Sequence, residues 1–413
     1  MAHDPLTVEA RSELGRIGSV EVVIGLAMSQ ARTSVDGAAA VVRAGLESRF
    51  PAHSAAVIEI ARGPADALGP SQPAPAFGAI PHARIRCAHG SGGSLAEGWR
   101  DEAVGVTLAA ARALDARAVV LLDPDITSLT AEWPGALGGP VLADGCGMVV
   151  PVYQSGRYEG TLTQALVVPL IRTLFGKRLA RPLAEEFGCS GKAAQFLLEQ
   201  DVWATDLARD GIEFWMPAAV IAEGLPISEV ILGPRRFAAP PRPVPLGEIV
   251  GRTAGSLFAI AERHEIVWLE RNGSEMVPCV GPLPEPQPGP APDPQRLLGG
   301  FLQGLRDLLP VWERILAPET LSDVLALSEE HGTDFRFPDR LWARVVYDFL
   351  LAYRARVVYR SHIAHSLAPL YLGRVASVIC ETRGGPPSAV AEVTERLCQV
   401  FEESKPYLAD RWR

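Results

Sequence analysis

The chain has no closely spaced cysteine pair. Its six cysteines, Cys87, Cys146, Cys189, Cys279, Cys380 and Cys398, are scattered over 413 residues with no C-x-x-C spacing. That excludes a disulfide framework and a zinc ribbon and fits a reducing compartment. Positive charge is not in excess either: 39 Lys and Arg stand against 48 Asp and Glu, a net charge of −9. Without a basic surface to meet a phosphate backbone, no nucleic-acid partner is expected. No apolar run has the length of a bilayer span, so no membrane span is expected. The start, Met1-Ala2-His3-Asp4-Pro5, lacks the charged and apolar regions of a signal peptide, and a cytoplasmic location is expected. The eight histidines include no pair at metal-ligand spacing. The Gly-rich stretch His89-Gly90-Ser91-Gly92-Gly93-Ser94 lacks the Gly-Lys-Ser/Thr ending of a phosphate loop and reads as a flexible loop or a lid. No internal repeat is visible.

What is present is an ordinary globular composition, 48% hydrophobic and 21% charged, in a chain long enough for two domains. Residues 20–27, 55–60, 80–87 and 119–122 read as strands. Helical spacing over 34–49 and 102–114 alternates with them, the pattern of a doubly wound α/β domain. Further on, 145–153 and 227–232 read as strands, and 162–175, 191–198, 214–223 and 246–271 as helices, with 177–190 as a loop. Residues 278–294 hold eight prolines, a stiff extended segment suited to a linker. The expected organisation is an α/β domain over 1–277, a linker over 278–296 and an all-helical domain over 297–413. Its helices are expected at 297–316, 319–331, 339–367 and 388–404.

The stretch Val119-Val120-Leu121-Leu122-Asp123-Pro124-Asp125-Ile126-Thr127 organises the rest. A run apolar on both faces reads as a strand of a parallel sheet. Two carboxylates arrive as it ends, at the edge where open α/β sheets bind ligands. Hard oxygen ligands there can hold Mg2+ or Mn2+ on a diphosphate, or can simply form an acidic turn. Other residues carry two readings as well. Glu213, in an apolar run, is a buried functional acid or a helix N-terminal acid. Of Glu185 and Glu186, Glu186 is expected to face inward. Arg235 and Arg236 are phosphate-binding forks or two solvated charges. Trp203 and Trp215 are core residues or sugar-stacking platforms.

Several segments together resemble the retaining mannosylglycerate and glucosylglycerate synthases, glycosyltransferases of the GT-A fold. Leu122-Asp123-Pro124-Asp125-Ile126-Thr127-Ser128 is similar to their D-x-D-I-T-S segment, and Tyr158-Glu159-Gly160-Thr161-Leu162-Thr163 to Y-D-G-T-I-T. Glu186-Phe187-Gly188-Cys189-Ser190-Gly191 is similar to D-F-G-F-S-G, Gln200-Asp201-Val202-Trp203-Ala204-Thr205-Asp206 to Q-D-V-W-T-T-D, and Gly211-Ile212-Glu213-Phe214-Trp215-Met216 to G-I-D-I-W-M. The resemblance runs through Leu232-Gly233-Pro234 into the helical tail.

It implies a Rossmann-like nucleotide-sugar domain, a nucleotide-sugar donor, a small polar acceptor such as glycerate, and a divalent metal on Asp123 and Asp125. Donor binding would fall to Ala27, Ser29, Glu59, Arg62, Arg100, Asp123 and Asp125. Acceptor binding would fall to Thr161, Arg235 and Arg236, and catalysis to Glu213 and Glu186. Four positions of the donor half depart from the family pattern. Phe237 stands where a metal-binding His is expected, and phenylalanine cannot ligate a metal. Ala61 stands where an Asp contacts the base, Ala27-Met28-Ser29-Gln30 replaces a Pro-Ser-Tyr-Asn-like turn, and Trp99-Arg100-Asp101-Glu102 carries no lysine. The alternative to an enzyme is therefore a degenerate relative serving as a binding or scaffold partner. The oligomeric state is not fixed by the sequence, and a homo-oligomer is left open.

Overall fold

The computed structural model describes residues 3–27, 36–62, 77–87, 100–238, 243–329 and 335–413. Ser29 and the whole Gly-rich 89–98 segment fall outside them, as does the Arg62 side chain. The described residues form ten strands: β1 (Val22–Ala27), β2 (Ala55–Arg62), β3 (His82–Cys87), β4 (Ala118–Leu122), β5 (Met148–Gln154), β6 (Lys177–Arg178), β7 (Phe187–Ser190), β8 (Ile227–Pro234), β9 (Glu275–Met276) and β10 (Cys279–Val280). Eight of them make one sheet in the order β10-β8-β5-β7-β4-β1-β2-β3. Pairs β1–β2, β1–β4, β2–β3 and β8–β10 are parallel, while β7 runs antiparallel to β4 and β5. The α/β class and the helical C-terminal region expected from the sequence are both present.

Burial explains the strand sequences. Every residue of β1 and β4 is buried, as a central strand covered on both faces requires. The covering helices come close because glycines let them. A Cβ on Gly25 of β1 would lie 2.6 Å from Thr107 Oγ1 in helix Arg100–Ala113, and one on Gly188 of β7 would lie 2.0 Å from the Leu137 carbonyl oxygen in helix Glu132–Asp144. From β1 the chain builds outward through β2 to β3, then returns to place β4 on the other side of β1. That reversal is a topological switch point, and it opens at the carboxyl ends of β1 and β4.

The chain forms two compact units. One comprises 1–153, 183–241 and 277–283; the other comprises 154–182, 242–276 and 284–413. This departs from the single cut expected at a proline-rich linker. Residues 154–182 and 242–276 pack with the C-terminal helices, because those segments bury groups on them. The Trp342 indole donates to the Ala165 carbonyl at 2.8 Å, and the buried Arg172 pairs with Glu395 and Glu402. The second unit also holds the small β6–β9 pair. The expected helix 339–367 is divided: Asp339–Ala355 ends at Arg356, whose φ of 54° is left-handed, and Arg360–Ser366 follows. Helix Ala368–Thr382 was not expected. By length and composition the stretch Arg360–Thr382 could cross a membrane, yet 78% of its apolar window is buried within the fold, as in a core helix.

The glycine contacts give a stability test by urea unfolding. Gly188→Ala is expected to cost about 3 kcal/mol or more, since a backbone oxygen cannot move aside. Gly15→Ala, in helix Val8–Ile17 with nothing within 4 Å of the added carbon, should stabilise by about 0.5–1 kcal/mol.

Candidate functional site

Asp123 begins where β4 ends, level with the end of β1 at the switch point. Its Oδ1 accepts the Asp125 N–H at 2.8 Å, so the carboxylate braces its own turn. The turn is stapled to the loop after β8. Ile126 bridges Phe237, the Thr127 N–H donates to the Arg236 carbonyl at 2.8 Å, and Ser128 Oγ donates to the Pro234 carbonyl at 2.5 Å. Phe237, at the position of the expected His, packs with Ile126 against the main core of the unit.

Glu186 arrives at the same edge through the antiparallel β7. Leu121 pairs with Phe187, so one step further the register sets Glu186 level with Leu122, beside Asp123. Glu186 is fully buried. A carboxylate there must be paired, and it is held from two sides. Arg235 closes a two-pronged fork on it, Nε to Oε2 at 2.9 Å and Nη2 to Oε1 at 3.0 Å, and the Tyr153 hydroxyl donates to Oε2. Arg235 also reaches Glu185 at 3.4 Å and lies over the rings of Phe237 and Tyr153. Where the sequence offered this fork to a phosphate or an acceptor, the structure engages it with Glu186.

Glu213 is set by a proline. Helix Asp206–Ala222 breaks its regular geometry at Gly211, and Pro217 has no N–H to return to the Glu213 carbonyl. The freed carbonyl accepts the Ala184 N–H at 2.9 Å, while Arg100 Nη2 donates to the Ala184 carbonyl at 3.3 Å. Glu213, Arg100 and the Glu185–Glu186 pair are thus tied together through one residue. Burial pushes the Glu213 carboxyl above the usual carboxylate range, with Arg100 opposing. Asp123 is pushed up to about 6, first by burial and then by the charges of Glu186 and Asp125, against its own turn hydrogen bond and Arg235. Arg100 Nε is buried with no hydrogen-bond partner among the described residues.

Ala27 and Arg236 border this edge, and the other expected residues play different parts. Glu59 is buried in β2 and paired with Arg84, its register partner on β3, although its Oε1 has no hydrogen-bond partner among the described residues. Ala27 is buried at the end of β1, Ala61 is buried in β2, and Arg236 is exposed. Thr161 belongs to the second unit, where its hydroxyl meets that of Tyr371 at 2.6 Å. Trp215 is fully buried core. Sequence reasoning missed Tyr153 entirely; its only signal was a polar-tipped aromatic closing an apolar strand.

Two carboxylates suit a hard divalent cation that takes its other ligands from phosphate and water. No group of three His, Cys, Asp or Glu placed to hold a metal occurs among the described residues.

No family model matches the chain, and no curated protein matches its sequence. Solved structures do. Glucosyl-3-phosphoglycerate synthase from Mycobacterium tuberculosis in complex with phosphoglyceric acid is 16% identical over 64% of this chain and 86% of that one, at a TM-score of 0.37. A second crystal structure of the M. tuberculosis synthase is 17% identical over 63% and 87%, at 0.34. A structure described only as a mycobacterial protein is 19% identical over 64% and 80%, at 0.39. Similarity at this level assigns no role to any residue.

The raised Asp123 pKa has a measurable consequence. Its folded value near 6 exceeds the roughly 3.9 of an unfolded chain. The folded state therefore holds the extra proton between those values, and this contribution to stability is lost as pH rises from about 4 to about 6. Asp123→Asn keeps the turn acceptor and removes the titration. With chelator present, the variant should match the parent at pH 4 and exceed it by roughly 1–2 kcal/mol at pH 7, less than the full shift because water still reaches the group. Chemical unfolding at both pH values checks this.

Proposed function

We propose that the chain is a glycosyltransferase of GT-A type that takes a nucleotide-sugar donor and a small polar acceptor of glycerate type, with retention of configuration at the transferred sugar. The observation that carries this reading is the pair of carboxylates at the switch-point end of β4, set against the Glu185, Glu186 and Glu213 cluster. The family resemblance of these segments and the named similarity to glucosyl-3-phosphoglycerate synthase agree with it.

The charge inventory restricts how a donor can bind. Asp123, Asp125, Glu185, Glu186 and Glu213 bring five carboxylates to this edge, and Arg235 is committed to Glu186. A diphosphate entering alone would be repelled. Asp123 and Asp125 would hold a divalent cation, Mg2+ or Mn2+, whose chemistry when bound is to neutralise the departing diphosphate. The orphaned Arg100 Nε is a donor that a ligand oxygen would satisfy, recovering about 1–3 kcal/mol. Glu213, partly buried and with its carboxyl raised above the usual range by burial, would orient the acceptor hydroxyl. Glu186 acts as a positioning residue: fully buried and paired on both sides, it fixes the edge along which Asp123 and Arg235 meet.

A second reading, a degenerate relative acting as a binding or scaffold partner, is favoured by one feature. Phe237 occupies the third-ligand position and is packed both on Ile126 and under Arg235, so no small rotation turns it into a metal site.

Thermal shift with GDP-, UDP- and ADP-sugars, each with Mn2+ or with EDTA, separates the readings. The enzyme reading expects at least one nucleotide sugar to stabilise the chain, with the gain lost in EDTA and in Asp125→Asn. Absence of any stabilisation at about 1–5 mM ligand favours the degenerate reading, since even weak occupancy is visible there.

A further inference from the structure

The second unit contains a cleft of about 620 Å³ lined by parts of helices Pro294–Ile315, Asp339–Ala355 and Ala389–Trp412. In a chain of net charge −9, this one cleft is rimmed by Arg314, Arg354, Arg411 and Arg413, with Asp348 as the acid among its lining residues. The rim arginines are held in place largely without spending their charge. Arg314 donates to the Val357 carbonyl at 3.0 Å, and Arg411 stacks 3.8 Å over the Tyr407 ring and donates to the Tyr407 carbonyl. Neither forms a salt bridge among the described residues. Arg354 stacks 4.3 Å over Trp412, donates to its carbonyl and pairs with Glu265 at 3.1 Å.

Asp348 organises this rim, and Arg411 feels its charge. It is buried; one oxygen accepts the Ala317 N–H at 2.9 Å and the other accepts the Tyr407 hydroxyl at 2.5 Å. Burial raises its carboxyl above the ordinary range. The order therefore runs from Asp348 to Tyr407 to the guanidinium stacked upon it. Beneath the rim the wall is apolar, with Ile315, Leu351, Ala352 and the Trp412 ring.

We propose that this cleft is a binding site for a small organic anion, with a phosphate or carboxylate head against Arg314 and Arg411 and an apolar body against Leu351 and Trp412. Guanidiniums fixed by backbone carbonyls and aromatic faces are preorganised, so less freedom is lost when an anion binds. Their carbonyl bonds leave further N–H groups for a second acceptor. Nothing in this site uses the β4 carboxylates, so it stands whether or not the chain is a glycosyltransferase.

Isothermal titration of the full chain with phenyl phosphate, benzoate and inorganic phosphate tests it. Saturable one-to-one binding is expected for phenyl phosphate or benzoate, tighter than for inorganic phosphate; the tighter of the two identifies the head group. Arg314→Gln with Arg411→Gln should weaken it by at least about tenfold, Arg→Lys at both positions should retain part of it, and Asp123→Asn should leave it unchanged. Should the double variant fail to fold, Ala355→Glu, which adds a negative charge at an exposed lining position, must weaken binding in its place. The proposal is overturned by no saturable binding up to about 10 mM, by affinity unchanged in the charge variants, or by inorganic phosphate binding as tightly as both aromatic probes.

Discussion

The buried pair of Arg235 and Glu186 is the constraint on which the first unit's binding edge depends. Glu186 has no solvent contact, and leaving such a carboxylate unpaired typically costs about 3–5 kcal/mol. The pairing joins three places in the chain: its partners Tyr153, near the end of β5, and Arg235, just after β8, meet Glu186 just before β7. Satisfying one charge therefore fixes three strand ends at one edge. The antiparallel course of β7 delivers Glu186 there, because a parallel strand in its place would present the opposite end.

The same pair sets the electrostatics around Asp123. Arg235 is the strongest local cation, and most of its fork is spent on Glu186 and Glu185. Burial first, and then the neighbouring carboxylates Glu186 and Asp125, push the Asp123 pKa up to about 6. Phe237 belongs to the same economy of space. It packs against the core beside Ile126 and offers its ring to Arg235, so an aromatic face and a guanidinium fill the space beside the Asp123 turn.

Much of the sheet was legible in the sequence, for a plain reason. Strands such as Val22–Ala27 and Ala118–Leu122 are buried on both faces and read as continuous apolar runs. The elements that escaped lack such a signature. Phe187–Ser190 is four residues long, contains a glycine and follows two glutamates, so its composition is that of a turn; only its place between β4 and β5 makes it a strand. Helix Glu132–Asp144 holds Pro134, Gly135, Gly138, Gly139 and Pro140, which look like loop punctuation. Yet a Cβ on Gly138 would stand 3.1 Å from Phe50 and 3.2 Å from Val120, and the small residue is what the packing demands. The site was legible as residue types but not as partnerships. Asp123, Glu186, Glu213 and Arg235 could each be singled out, whereas an ion pair spanning 49 positions leaves no periodicity to read.

Glu213 illustrates how a local backbone rule can reach the chemistry. Pro217 removes one helical hydrogen bond, and the carbonyl it frees belongs to Glu213. A buried carbonyl without a donor is costly, and the Ala184 N–H supplies the bond. That bond draws the segment carrying Glu185 and Glu186 against the helix, and Arg100 completes the arrangement from the other side of the same peptide. The proline thus does more than interrupt a helix. It converts an internal helical bond into a tether between two carboxylate-bearing segments, and the separation of Glu213 from Glu186 is inherited from that exchange. Any ligand placed between them meets spacing set by backbone hydrogen bonding, with side-chain charge deciding only how strongly it is held.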